Sequence, residues 1–376
     1  MQYTMKNKDK DVLTFDFEQI DKKGKFSNIK IIDEKLLPIT INADTVNTDL
    51  KSWIAARRIP KGRQLAQNIL KKIGKEDTIL RYIDVSLGLS LNDTYWVIPA
   101  LEKYQWKEVN LYDNDFDEAL QMAAFGHDVP YRGKRSPELT TNGMLKKCWN
   151  KEADGIYLYK SSTITEAFAE YYNYQIAKVL GFEAVPYDII KFNNEIVSRC
   201  PLFTNENEGY APIDFFVHKE IGDLDEVYRE DCASIYGQEK FEDLMVYDAL
   251  IGNIDRHGYN FGMIVDNNTN KILRPAPIFD NGNGLLGSYL KDSSVNKTYK
   301  AQYERGATAF NLSFDEQLDM YLRDRHISNL EKLLDFKFKR HPKYSLKEKN
   351  LVEFEDLLHE KVRMALDNYK SPALKM

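Results

Sequence analysis

In the stretch 251-IGNIDRHGYNFG-262, Asp255 precedes Asn260 by five residues, with Arg256 and His257 between them. A second acid, Asp280, follows in 278-IFDNGNG-284, set beside glycines. This set of side chains suits phosphoryl transfer. That chemistry needs a carboxylate to orient an attacking hydroxyl and accept its proton, and further oxygens to hold Mg²⁺ against phosphates. The preceding 239-EKFEDLMVYDALIGN-253 reads as a helix, so Asp255 and Asn260 stand on the loop leaving it, ahead of a strand. Asx residues also cap helices and turns, so the alternative is a plain surface loop. The nearby hairpin and the Asp-x-Gly element weigh toward a site.

The chain has 376 residues, 43% hydrophobic and 29% charged. That is ordinary globular composition for two packed units or one two-lobed unit. The N-terminus lacks the apolar core of a signal peptide, and no apolar run is long enough to span a bilayer, so no membrane association is expected. Cys148, Cys200 and Cys232 are scattered and odd in number, which fits a reducing cytoplasm and no disulfide framework. The net charge of -6 predicts no direct nucleic-acid binding. Six histidines without a close pair, and no Cys-x-x-Cys, argue against structural zinc.

Several elements must position these residues. Segments 11-DVLTFDF-17 and 28-NIKII-32 alternate as strands, and 49–58, 62–74 and 76–86 carry helical periodicity. The basic residues of 57–72 read as a solvated helix face, with a docking surface for an acidic partner as the alternative. The stretch 90-SLNDTYWVIP-99 reads as a loop, followed by a helix over 115–126 and a polar boundary over 127–143. Next come strands 144–149 and 155–160, a helix over 163–181, and strands 184–192 and 195–203 about an Asn193-Asn194 turn. The run 204–209 is a connector, 261–265 and 271–279 form a hairpin, and 314–370 reads as three helices.

The motifs 255-DRHGYN-260 and 278-IFDNG-282 resemble the D-R-H-x-x-N and D-x-G elements of phosphatidylinositol 3/4-kinases and of HipA-like bacterial serine/threonine kinases. The stretch 136-SPELTTNGMLKKCW-149, the strand ending in Lys160, the helix 170-EYYNYQIAKVLG-181 and the following 184-AVP resemble the HipA-like family in order and spacing. The resemblance covers residues 136 to about 370. It implies an α+β, two-lobed protein-kinase-like fold, with an N-terminal α+β subdomain over 1–135, a kinase N-lobe over 136–203 and a mostly helical C-lobe over 204–376.

The same resemblance implies the site. Asp255 is the catalytic base, and Asn260 and Asp280 are the Mg²⁺ ligands. Lys160 contacts the ATP phosphates with Glu170 as its ion-pair partner; Glu166 is a rival one turn earlier, and a snorkelling surface role for Lys160 stays open. Arg256 and His257 are structural rather than basic catalysts. Thr140, Thr141, Asn142 and Gly143 form the nucleotide-phosphate loop. Cys200, Leu202 and Phe203 meet adenine through the connector backbone. Autophosphorylation falls on Thr140 first, then Thr141 or Ser136. A protein substrate and an antitoxin-like inhibitor of a toxin–antitoxin pair are the implied partners. A lipid or small-molecule kinase, and a nucleotide-binding regulator without turnover, are the alternatives. The stretch 282-GNGLLG-287 matches a dinucleotide fingerprint, but the polar, aperiodic run after it does not open a helix, so it reads as a loop following Asp280.

Overall fold

The computed structural model describes residues 1–20, 23–74, 78–161, 164–217, 225–284 and 308–370. The chain opens with strands β1 (Gln2–Asn7), β2 (Lys10–Ile20) and β3 (Lys23–Ile31), then helices α1 (Val46–Ala56), α2 (Ala66–Ile73) and α3 (Ile79–Ser86). Next come β4 (Tyr95–Pro99), α4 (Trp106–Val109), α5 (Glu118–Ala124), β5 (Lys146–Glu152), β6 (Gly155–Ser161) and α6 (Ile164–Leu180). Strands β7 (Asp188–Phe192), β8 (Glu195–Pro201) and β9 (Glu208–Pro212) precede α7 (Asp225–Tyr236) and α8 (Gln238–Ile251). Strands β10 (Gly262–Asp266) and β11 (Ile272–Pro275) and helices α9 (Phe314–Tyr321), α10 (Asp324–Glu331) and α11 (Glu348–Lys370) complete the described order. Contacts divide the chain into two compact units. One holds residues 1–160, 201–211 and 264–274; the other holds 161–200, 212–263 and 275–376.

In the first unit the N-terminal strands form a sheet of order β3-β2-β1-β4. Alternation places Tyr3, Met5, Leu13, Phe15 and Phe17 on its buried face, against Leu50, Trp53 and Ile54 of α1. The expectation of a loop over 90–99 is corrected here, because Tyr95–Pro99 is a strand paired with β1. Its Tyr95 and Val97 enter one apolar cluster, and its Trp96 and Ile98 enter a second with Leu87, Leu89, Trp106 and Leu111. A strand buried on both faces loses the period-two alternation that would have revealed it. Strand β9 was likewise hidden at the end of a segment read as a connector. The hairpin turn after β10 is as expected: Asp266 N–H donates to Lys271 O at 2.9 Å, and Asn270 takes the left-handed region at φ +58°.

The second unit is built on α8. Its residues Leu244 to Ile251 are all buried, so its sequence is apolar nearly all round, as a helix inside a core must be. Near its N-terminal end, Glu242 takes guanidinium hydrogen bonds from Arg323 and Arg325. The hairpin β7–β8 turns at Asn193 and Asn194, both at positive φ. Three helices occupy 314–370, as the sequence predicts. Among the described residues, no helix is long and apolar enough to cross a membrane.

One charge on α8 decides the chain path that follows. Asp248 is 1% exposed and pairs with Arg256, also 1% exposed. The pair is bidentate: Nε to Oδ2 at 2.8 Å and Nη2 to Oδ1 at 3.0 Å. Burial works against the Arg256 charge, but the Asp248 charge and hydrogen bonds outweigh it and hold the guanidinium protonated. Removing one partner of a buried pair leaves the other uncompensated, which costs roughly 3–5 kcal/mol. Urea unfolding should therefore show Arg256→Ala destabilised by about that amount. Arg256→Lys should recover only part of it, since an ammonium cannot make the planar two-point contact. A wild-type urea midpoint for Arg256→Ala would contradict this account.

Candidate active site

Gly252, in the left-handed conformation, ends α8 and turns the chain outward. Asn253, fully buried, donates Nδ2 to Asp248 Oδ1 at 3.0 Å, and its Oδ1 accepts Asp255 N–H at 3.1 Å. The loop then folds on itself. Asn260 Nδ2 donates to Asp255 O at 2.8 Å, and His257 N–H donates to the same carbonyl at 2.9 Å. With Nδ2 committed to the backbone, Asn260 Oδ1 is the atom left for a cation. The Asp255 carboxylate is half-buried and accepts Asn283 Nδ2 at 2.8 Å, which orients it. His257 is exposed, and its Nδ1 accepts Tyr259 N–H at 3.2 Å.

Position 258 of this loop has room only for glycine. A Cβ there would stand 1.7 Å from Asp214 Oδ1. Asp214 is itself fixed, because Tyr228 donates its hydroxyl to Oδ1 at 2.8 Å. Ile213 N–H donates to Phe261 O at 3.0 Å, so residues 213–214 form a shelf under the loop.

Arg256 joins this loop to the second acid. Its Nη1 donates to Asn260 O at 2.8 Å and Phe279 O at 2.5 Å, and its Nη2 donates to Asn281 Oδ1 at 2.6 Å. Asp280, between Phe279 and Asn281, sits in the left-handed region at φ +55°. An aspartate there carries roughly 1–2 kcal/mol of strain and persists where neighbours over-determine it. Glu170, 1% exposed on α6, accepts Asn281 N–H at 2.8 Å. Asn173, one turn on, donates Nδ2 to Asn281 O at 2.9 Å. Asp255, Asn260, Asp280 and Glu170 thus belong to one hydrogen-bonded assembly inside the second unit. Glu166 is also buried, facing Gly282.

An amide oxygen and a carboxylate are a hard-oxygen pair that fits Mg²⁺, which is commonly held by one or two protein ligands, substrate phosphates and water. No cluster of three or more His, Cys, Asp or Glu that could hold a metal occurs among the described residues. Residues 285–307, which include the end of 282-GNGLLG-287 and the polar run after it, lie outside the described residues.

The remaining expected site residues lie in the first unit, apart from Cys200, which is buried at the end of the second unit's β8. Lys160 is half-buried near the end of β6. Ser136 is buried and donates its hydroxyl to the buried Glu138 carboxylate. Burial raises the Glu138 pKa, opposed by that hydroxyl and by Trp149 N–H. Thr140 is 7% exposed and donates its hydroxyl to Leu89 O at 2.6 Å. Thr141 donates to Pro137 O at 2.6 Å and accepts Trp149 Nε1 at 3.0 Å. Asn142 is exposed, and Gly143 stands at φ +96° with the Lys147 ammonium against it. Arg63 pins the segment by donating to Glu138 O and Thr141 O. In the connector, Leu202 N–H donates to Ile156 O at 2.8 Å, and the Phe203 ring meets Tyr210 edge-on.

Sequence reasoning missed Asp248, Asp214, Tyr187, Asn281 and Asn283. The repeated Asn-Gly of 281-NGNG-284 was the one local signal, since it places two amides beside Asp280.

No protein-family model and no curated protein sequence matches the chain. Solved structures do. The proinflammatory kinase CtkA of Helicobacter pylori matches at 18% identity over 61% of this chain and 95% of its own, with a TM-score of 0.43. HipA of Shewanella oneidensis MR-1, solved with HipB and its operator DNA, matches at 13% identity over 97% of this chain and 99% of its own, with a TM-score of 0.56. The expectation of no nucleic-acid contact gains no support from a neighbour solved on DNA. The TM-score over near-complete mutual coverage shows that this chain has the α+β fold of HipA.

Proposed function

We propose that the chain is an ATP- and Mg²⁺-dependent kinase that transfers the γ-phosphoryl group to a serine or threonine hydroxyl of a protein. The observation that carries this reading is the Asp255 turn. A carboxylate oriented by Asn283, an Asn260 amide folded back on the same turn, and Asp280 are all tied through one buried arginine. In this reading Asp255 orients the acceptor hydroxyl and takes its proton. Asn260 and Asp280 supply oxygens to Mg²⁺, which when bound neutralises charge on the phosphates. Lys160, with Glu170 as its partner, meets the phosphates. The 140–143 segment covers them, and Cys200, Leu202 and Phe203 line the adenine side. Residues 136–203 serve as the nucleotide-binding lobe and 204–376 as the catalytic lobe, with 1–135 appended. Three buried thiols suit a reducing cytoplasm. The HipA likeness supports an antitoxin-like protein as partner.

Labelled ATP, Mg²⁺ and a cell lysate, followed by identification of labelled proteins, test the activity directly. Asp255→Ala should stay folded and lose roughly a hundredfold to ten-thousandfold of transfer, the usual worth of a general base. Retention of most of the transfer would remove Asp255 from that role.

Asn260→Ala and Asp280→Ala should each weaken ATP binding in Mg²⁺ and leave metal-free ATP binding near wild type. Calorimetric titration in both conditions checks this, and equal losses would make these residues pocket walls rather than ligands.

Autophosphorylation in the 136–143 segment is expected at Thr140. That transfer requires Thr140 to leave Leu89 O, so it should be slow. A phosphate adds roughly -1.5 to -2 charges and should lower ATP affinity. Peptide mass spectrometry after incubation with Mg²⁺-ATP, with Asp255→Ala as control, should find it on the active protein alone.

A further inference from the structure

The sequence motif 184-AVP-186 has no part in the scheme above, yet it leads into Tyr187 and the second acid. Segment 183–185 runs beside Ile278 as a short parallel bridge. Val185 N–H donates to Ile278 O at 2.9 Å, and Ile278 N–H donates to Glu183 O at 2.9 Å. Two residues further along each segment, Asp280 N–H donates to the Tyr187 phenol oxygen at 3.1 Å. Tyr187 is 8% exposed, and a phenol so placed usually finds a polar partner. Glu170 and Arg256 hold the residues flanking Asp280, whereas Tyr187 holds the amide of Asp280 itself.

The geometry points to Tyr187 as a positioning residue whose phenol oxygen fixes the Asp280 amide in its left-handed conformation and so aims the Asp280 carboxylate at the metal of Mg²⁺-ATP. This rests on the reading of Asp280 as a metal ligand. Packing alone does not account for the hydroxyl, since phenylalanine would offer the same ring and leave the Asp280 N–H without this acceptor.

The test is Tyr187→Phe in the full chain, with ATP affinity measured calorimetrically with and without Mg²⁺. Wild type and Asp280→Ala are run beside it. The expected result is a loss of Mg²⁺-dependent affinity of roughly threefold to tenfold, the usual worth of one hydrogen bond, with metal-free affinity unchanged. In the Asp280→Ala background, Tyr187→Phe should have no further effect on the Mg²⁺ dependence. Equal loss with and without Mg²⁺, no loss at all, or failure of the variant to fold would each overturn the proposal by assigning the hydroxyl to packing or to nothing. If wild type and Asp280→Ala show the same Mg²⁺ dependence, the reading of Asp280 fails first. If they differ and Tyr187→Phe behaves as wild type, only the Tyr187 assignment fails.

Discussion

A single buried ion pair organises the second unit. Asp248 lies in the middle of a core, where a carboxylate is tolerated only with a full set of donors. Arg256 and Asn253 supply them. Because Arg256 lies eight residues beyond Asp248, the chain must leave α8 at Gly252 and double back within a few residues. That return is what presents Asp255 and Asn260 on one short turn. The guanidinium has more donors than Asp248 uses, and the others reach Asn260 O, Phe279 O and Asn281. One cation therefore satisfies the core and joins the two acidic loops.

This arrangement separates stability from chemistry. Arg256 is buried and serves structure, whereas its neighbour Asp255 is half-buried and held through a neutral amide. Asn283 fixes one carboxylate oxygen of Asp255 while the residue stays partly open to solvent. Asp280 is held differently. Its backbone is strained and is gripped on both sides by Arg256 and Glu170, with Tyr187 on its own amide. Strain of this kind recurs where a side chain must point in one direction.

The 136–143 segment shows a second style of holding. Its hydroxyls are turned inward onto Glu138, Leu89 O and Pro137 O, and Arg63 fastens its carbonyls. The sequence shows a polar run with three hydroxyls, which suggests exposure. Folding satisfies those hydroxyls internally because the segment is closed over a core that includes Leu89 and Leu139, where unpaired polar groups are costly.

The sequence by itself determined whatever depends on neighbours a few residues away. It gave up the Asp255–Asn260 spacing after an apolar helix, the hairpins at Asn193-Asn194 and Asp266–Asn270, and the three C-terminal helices. These follow from periodicity and turn chemistry, which are local. Strand β4 escaped because its two faces enter two different clusters, so no alternation marks it. The grip on Asp280 escaped for a related reason. Tyr187 lies 93 residues from Asp280 and Glu170 lies 111 residues from the adjoining Asn281, and a hydrogen bond across that distance imposes no period and no local composition on either segment. Only tertiary structure decides such contacts, because they form only when packing brings distant backbone amides to buried acceptors.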